Sequence, residues 1–487
     1  MPDQTPIAQE PVSAAATSPS PSSPAARPVF SSANQTSSST VISTSSGSSF
    51  KWIIIVLLLI IGIILGTVVL LKRLLPQGSV AKKTTIVYWG LWEPESVMQP
   101  IIDKYQKSHP AITIQYVRQS PQDYRDRLNS SLTQENRPDI FRFHNTWVPM
   151  LRDDLSPVPP GVFDADLYKN TFYPVVQSDM VLDGKIMGVP LEYDGLALYY
   201  NVDLFQKNGL QPPQNWNDLV DYASKLTQKD DLGRITTSGI AIGTASNVDH
   251  WQDILALMML QAGVDLRNPI GEEAENALTF YTNFVTIGRV WDMSLPNSTT
   301  MFIQGKLAMY LGPSWRVFDF EEAKRSQNPN LNYGIMPVPQ LPETNVTWAS
   351  YWVEGVSKNS RNQEAAWDFL KYLSGPEVLQ TLFQSESQIR KFGEPYSRRD
   401  LADQLIKNSL LSAYIAQAPN AKSWYLAGNT YDGPTGINSR ISKYFEDAVN
   451  SIVTGGKDSK SVLPTVASGV TQVLSTYKVP TAPVSTQ

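Results

Sequence analysis

Residues 84–117, TTIVYWGLWEPESVMQPIIDKYQKSHPAITIQYV, hold two apolar runs with an amphipathic stretch between them. TTIVYWG (84–90) has the unbroken apolar character of a buried parallel strand. From Glu95 to Ser108 the residues Val97, Ile101 and Tyr105 recur at helical spacing, with Pro94 suited to the first turn. ITIQYV (112–117) is the next strand, and DIFRF (139–143) follows a second helix. This β-α-β-α order predicts an α/β fold on a doubly wound parallel sheet, with ligands at the carboxyl ends of the strands. Further on, TSGIAIG (237–243), LAMYLG (307–312) and YGIMPVP (333–339) are strand-like, and long helices are expected over 362–373 and 437–453.

Outward from this region, composition narrows the function. The formal charge of −5 offers no basic stripe for phosphates, so no nucleic-acid partner is expected. The chain has no cysteine, which excludes disulfides, thiolate chemistry and a lipid-modified cysteine. His109, His144 and His250 are its only histidines, too scattered for a metal site, and no cofactor is implied. QKDDLGR (228–234) misses the spacing of a calcium loop, and no GxSxG, Walker A or HExxH motif occurs.

Residues 1–50 are mostly Ser, Thr, Pro and Ala and are expected to be a disordered tail. WIIIVLLLIIGIILGTVVLL (52–71) is an uncharged run that would span roughly 30 Å as a helix. A membrane-spanning anchor is therefore expected over 51–73, a linker over 74–83, a main domain over 84–480 and a short tail over 481–487. Ser79-Val80-Ala81 resembles a signal-peptide cleavage site, but the apolar run is too long and begins too far from the start. Lys72, Arg73, Lys82 and Lys83 follow the run, so the positive-inside rule alone would put the domain in the cytoplasm; that rule is weak for large domains.

Pro138-Asp139, Asp183-Gly184-Lys185, Gly188-Val189-Pro190 and Tyr199-Tyr200-Asn201 occur in that order, followed by NWNDLVDYASKLT (215–227), FIQGKLAMYLGPSW (302–315), NYGIMPVP (332–339) and NQEAAWDFLKYLSGPE (362–377). In this ordered series the chain resembles the extracellular solute-binding proteins of ATP-binding-cassette importers, of the maltodextrin-binding kind. The resemblance covers nearly all of 84–455. It implies a two-lobed periplasmic-binding-protein clamshell of type II, with three crossings between the lobes: near 192–195, near 333–339 and after 375. It implies capture of a carbohydrate, an oligosaccharide in first expectation, for delivery to the importer's permease subunits, with no catalysis. The domain would then sit outside the cell membrane on its single-pass anchor.

Sugar binders stack the apolar face of a pyranose on aromatic rings and hold its hydroxyls with carboxylates and amides. The resemblance assigns such roles to Trp92 and Glu93 after the first strand, His144 and Asn145 after DIFRF, and Tyr193 and Asp194 at the first crossing. It adds Trp251, Trp315 with its neighbour Arg316, Trp352, and Trp424 in the C-terminal region. Trp348 and Tyr351, in WASYWVEG (348–355), are further candidates for the cleft, and Trp89 is expected in the core. Two other readings use the same residues. Glu93 and Asp194 could serve as the carboxylate pair of a glycoside hydrolase. Ligand-driven closure could instead be read by a membrane sensor or adaptor. A cationic solute such as a polyamine is the alternative to a neutral sugar.

Overall fold

The computed structural model describes residues 49–74 and 83–481. Most of the expected tail at 1–50, of the linker at 74–83 and of the terminal segment 481–487 lies outside the described residues. The chain divides into two compact units, one ending at Ser79 and the other beginning at Val80. The first contains a single described helix, Ser49–Leu74, of 26 residues. Its described apolar side chains, including Trp52, Leu58 and Leu65, are exposed. Counted over residues whose side chains are described, no helix is long and apolar enough to cross a membrane; positions 49–51, 53, 68 and 71–74 of this helix fall outside that description.

The large sheets of the second unit use ten of its described strands: β1 (Thr84–Gly90), β2 (Ile112–Arg118), β3 (Ile140–His144), β4 (Leu155–Ser156), β5 (Ala197–Asn201), β6 (Gln228–Lys229), β7 (Ile235–Ile240), β8 (Leu307–Gly312), β9 (Tyr333–Met336) and β10 (Trp352–Ser357). They form two five-stranded sheets, ordered β2-β1-β3-β10-β4 and β9-β5-β8-β7-β6. Each sheet, with its helices, makes one lobe.

In the first sheet β1 runs parallel to both neighbours, Ile86 opposite Ile114 and Tyr88 opposite Ile140. β10 enters antiparallel to β3, with Trp352 opposite His144. In the second, β5 is antiparallel to both β8 and β9, whereas β7 is parallel to β8. The expectation of a wholly parallel sheet is thus corrected to two mixed sheets. A parallel neighbour needs a crossover connection packed on the sheet, usually a helix. β10 reaches the first sheet directly from the other lobe, so that constraint is absent.

Pleat and helix periodicity build the first core. Ile86, Tyr88 and Gly90 alternate inward along β1, leaving Trp89 half-buried against the same core. Val97, Ile101 and Tyr105 form the buried stripe of the helix Glu95–Ser108. The helix Ile437–Val453 buries Ile441, Phe445, Ala448 and Val449, again at helical spacing.

The lobes are joined where three extended segments run side by side. Val189 and Glu354 exchange backbone hydrogen bonds of 2.9 and 3.0 Å, and the Ser350 amide donates to the Asp194 carbonyl at 3.0 Å. On the other flank, the Tyr193 amide donates to the Pro395 carbonyl at 2.9 Å, and the Ser397 hydroxyl to Pro190 at 2.7 Å. The segment 189–195 is therefore the middle one of the three. Residues 333–336 belong to β9, inside the second sheet, so the chain changes lobe between β9 and β10.

Gly195 sits opposite Ala349 in this junction. A Cβ on Gly195 would stand 2.1 Å from the Trp348 carbonyl oxygen, a backbone atom that cannot move aside. Gly195→Ala is expected to cost about 1–3 kcal/mol of stability, read as a lower urea midpoint. Gly161→Ala, where nothing lies within 4 Å, is the matched control and should change stability by less than about 0.5 kcal/mol.

Candidate functional site

A cavity of about 310 Å³ opens beside this junction and draws residues from both lobes and from the segments that join them. From the first lobe come Trp92, just past the end of β1, His144, the last residue of β3, and Trp352, the first of β10. From the second come Pro313 and Trp315 after β8, with Phe318, His250 and Asp253. The crossings supply Glu192, Asp194, Trp348 and Ser350, and the segments 390–394 and 428–431 complete the wall. The carboxyl ends of β1, β3 and β8 thus converge on one hollow, as an α/β fold predicts.

On the first-lobe side the rings lock one another edge to face. Trp352 lies 5.4 Å from Trp92, 5.2 Å from His144 and 5.5 Å from Trp147, all near-perpendicular. Tyr431 closes the group at 6.2 Å from Trp92. His144 is buried, with Nδ1 2.8 Å from the Thr146 hydroxyl and Nε2 3.0 Å from that of Ser350. Burial pushes its pKa down to about 3, so it enters the site as a neutral hydrogen-bonding ring.

On the second-lobe side, Trp315 immediately precedes the helix Arg316–Ser326. The Arg316 guanidinium stacks 4.4 Å from its ring centre. Arg316 also donates to His250 Nε2 at 3.0 Å and to Asp319 at 2.7 Å. It therefore braces the indole and the imidazole from behind and does not itself line the cavity.

Asp194 lines the cavity with both oxygens engaged. They accept from the Ser314 amide at 3.1 Å, the Ser314 hydroxyl at 2.9 Å and the Gly195 amide at 2.7 Å. Removal from water pushes its pKa up to about 7, although these donors pull the other way. Asp253 is engaged mainly through Oδ1, which accepts from the Trp348 indole at 2.8 Å and the Gly428 amide at 3.0 Å, while Oδ2 lies 3.6 Å from His250 Nδ1.

Of the residues singled out in the sequence, Trp92, His144, Asp194, Trp315, Trp348, Tyr351 and Trp352 meet in the cavity, and the others stand elsewhere. Glu93 is turned inward and bound at 2.8 Å to the buried Arg142 of β3, so its carboxylate has no access to the hollow. Asn145 bridges the Tyr351 backbone and Asp179. Tyr193 is buried beneath the crossing, its ring 5.0 Å from Tyr173. Trp251 faces a separate hollow behind Asn429 and Tyr431, and Trp424 packs beside Tyr425. The pair considered for a hydrolase, Glu93 and Asp194, consequently does not flank a common space.

Sequence reasoning did not single out Glu192, His250, Asp253, Phe318, Arg390, Glu394, Asn429 or Tyr431 as lining residues. Glu192 was within reach, since it begins the expected crossing 192–195. The segment 428–431 carries a different signal: Asn429 and Tyr431 both have positive φ, 55° and 52°, a backbone state uncommon for side-chain-bearing residues.

Comparison with known proteins agrees with this architecture. Residues 100–389 match the family of bacterial extracellular solute-binding proteins. The chain belongs to that family, which places its binding domain outside the cytoplasm and makes it a carrier of solute, not an enzyme. A binding protein of Brucella abortus is 22% identical over 377 residues, covering 74% of this chain and 87% of the relative. A maltooligosaccharide ABC transporter solute-binding lipoprotein of Streptococcus pneumoniae is 24% identical, covering 57% of this chain and 63% of the relative. Among solved structures, the sugar-binding protein MalE of Xanthomonas citri superposes with a TM-score of 0.67 at 21% identity, over 81% of this chain and 98% of that one. At that identity the likeness is one of fold.

The raised carboxyl of Asp194 has a stability signature. An unfolded Asp loses its proton near pH 4, whereas the folded one holds it to about 7. Over that window the folded state binds more protons, so raising the pH lowers stability. Asp179, raised to about 6, acts in the same direction, so the comparison must be with a variant. Asp194→Asn should lose its share of the decline: from pH 4 to 8 the wild type should fall relative to the variant by on the order of 1–3 kcal/mol. Denaturant titrations at both ends of the range measure this, and a constant gap would remove Asp194 as the cause.

Proposed function

We propose that this chain is a membrane-anchored receptor that captures a carbohydrate in the interlobe cavity and delivers it to an ABC importer. The observation that carries the reading is the pairing of indoles from opposite lobes, Trp92 and Trp352 against Trp315, around a hollow rimmed by carboxylates. Indole faces match the C–H-rich face of a pyranose, while Asp, Glu and neutral His side chains match its hydroxyls. The names of the sugar-binding relatives support the same ligand class. The polar hollow behind Asn429 and Tyr431 favours more than one sugar unit, because these two residues line both spaces. Ligand contacts shared between lobes would favour a closed arrangement about the three crossings.

The helix Ser49–Leu74 is the proposed anchor. Its 26 residues reach about 39 Å at 1.5 Å per residue, enough to span a hydrocarbon layer of about 30 Å. It replaces the lipid that the absent cysteine rules out. The family's extracytoplasmic role outweighs the positive charges after the helix, because long domains translocate largely regardless of such charges.

Two measurements test this reading. Trp315→Ala should weaken binding of an oligosaccharide by about 1–3 kcal/mol in calorimetric titration; unchanged affinity would take Trp315 out of the site. Protease added to intact cells should degrade the region beyond residue 83. Its protection, with degradation after lysis, would put the domain on the cytoplasmic side.

A further inference from the structure

The cavity's back wall merges into a buried cluster of unequal charge. Arg142 Nη1 lies 2.8 Å from Glu93 and 4.0 Å from Glu192, and its Nε lies 2.6 Å from Glu354. Glu394 stands close enough to Glu192 to push its pKa up. Arg390 pairs with both Glu386 and Glu394 at 2.7 Å. Five carboxyl groups, Glu93, Glu192, Glu354, Glu386 and Glu394, therefore share two guanidiniums. Lys391, the cation next to Arg390 in sequence, is turned away to Glu321.

Within this cluster Glu192 differs from the rest. It lines the cavity, yet it is only 5% exposed. Its Oε1 is the atom turned toward Arg142; its Oε2 is buried without a hydrogen-bond partner among the described residues, as are Glu354 Oε2 and Glu386 Oε1. Asp194 and Asp253, the other acids of that wall, already accept from Ser314, Gly195, Trp348 and Gly428. Glu192 shares the one nearby guanidinium, Arg142, with Glu93 and Glu354; an under-compensated buried carboxyl is costly, and a cation supplied by the ligand would offset that cost. Desolvation and the neighbouring Glu394, Glu93 and Glu354 raise Glu192, while Arg142 lowers it, so the acid holds its proton more tightly than a free carboxyl.

We propose that the carbohydrate recognised here bears a protonated amine, seated against the Glu192 carboxyl beside Glu394, with its rings on the flanking indoles. The ligand class is an amino-sugar-containing oligosaccharide. This rests on the carbohydrate reading above and adds a charge to it. The ammonium would donate to the Glu192 carboxyl and supply one positive charge to a cluster short of them; such charge-assisted bonds are about twice as strong as neutral ones.

The test uses the full-length protein and matched probes: α- and β-linked glucose disaccharides to tetrasaccharides, their 2-amino counterparts of the same linkage and length, and spermidine. Calorimetric titration at pH 7 should show an amino sugar binding at least about 10-fold tighter than its neutral twin. In Glu192→Gln, which keeps the side chain's shape, that preference should disappear: the ratio of amino-sugar to neutral-sugar affinity should fall to about one, whatever happens to each affinity alone. Glu394→Gln, the neighbouring acid of the wall, should reduce the preference partly, and thermal unfolding of each variant checks that it folds. Equal or tighter binding of the neutral twins by the wild type overturns the amine and leaves the carbohydrate reading standing, as does a preference that survives Glu192→Gln. Spermidine bound in a Glu192-dependent way, with no sugar bound, would overturn the carbohydrate reading and keep the cationic group. Binding of no amine-bearing probe overturns the proposal.

Discussion

Arg142 is the point from which the architecture of the first lobe and the junction can be understood. A guanidinium with no solvent exposure in a central strand is tolerable only if its charge is met by acids. The acids come from three separate places: Glu93 after β1, Glu354 on β10, and Glu192 on the middle crossing. The Tyr88 hydroxyl, one strand away, donates to Glu354 at 3.0 Å and completes the lattice. Placing the arginine therefore fixes the strand order on both sides of β3 and pins the junction to the sheet. Removing the guanidinium alone would strand several buried carboxyls, far costlier than never having built the cluster.

The same cluster explains how adjacent residues come to face different tasks. Trp92 and Glu93 are neighbours in one turn, yet the indole meets the cavity and the carboxylate meets Arg142. Trp315 and Arg316 divide in a similar way, ring forward and guanidinium behind it as a brace. In both pairs the polar partner holds the scaffold under the ring, so the aromatic surface is presented rigidly. Rigid aromatic platforms lose little conformational entropy on binding, so more of the contact energy appears as affinity.

Periodicity made much of this legible in the sequence. The helices Glu95–Ser108 and Ile437–Val453 follow directly from the spacing of their apolar residues, because burial of a stripe is a local property of the chain. The indoles at Trp92, Trp315 and Trp352 were accessible for a related reason: each lies beside a strand end, where clefts form. Glu93 was misplaced because its partner lies 49 residues away, and spacing carries no record of which acid faces which base. Glu394 and Tyr431 come from irregular segments whose path depends on the assembled lobes, so no local pattern brings them to the cavity. The mixed sheets escaped for the same reason, since the direction of β10 is set by its arrival from the other lobe.

That arrival has a consequence for how the protein comes into being. β1 through β4 are made early, but the strand that separates β3 from β4 begins only at Trp352, more than two hundred residues after His144. Until then one edge of β3 is open, its apolar residues unpaired, and Arg142 lacks Glu354. An open apolar edge is a template for mispairing. The first lobe thus cannot mature on its own as the chain emerges, and the second lobe must be largely synthesised before the first can close. Interleaving the lobes, which gives the receptor its hinge, also makes it dependent on protection during its own synthesis.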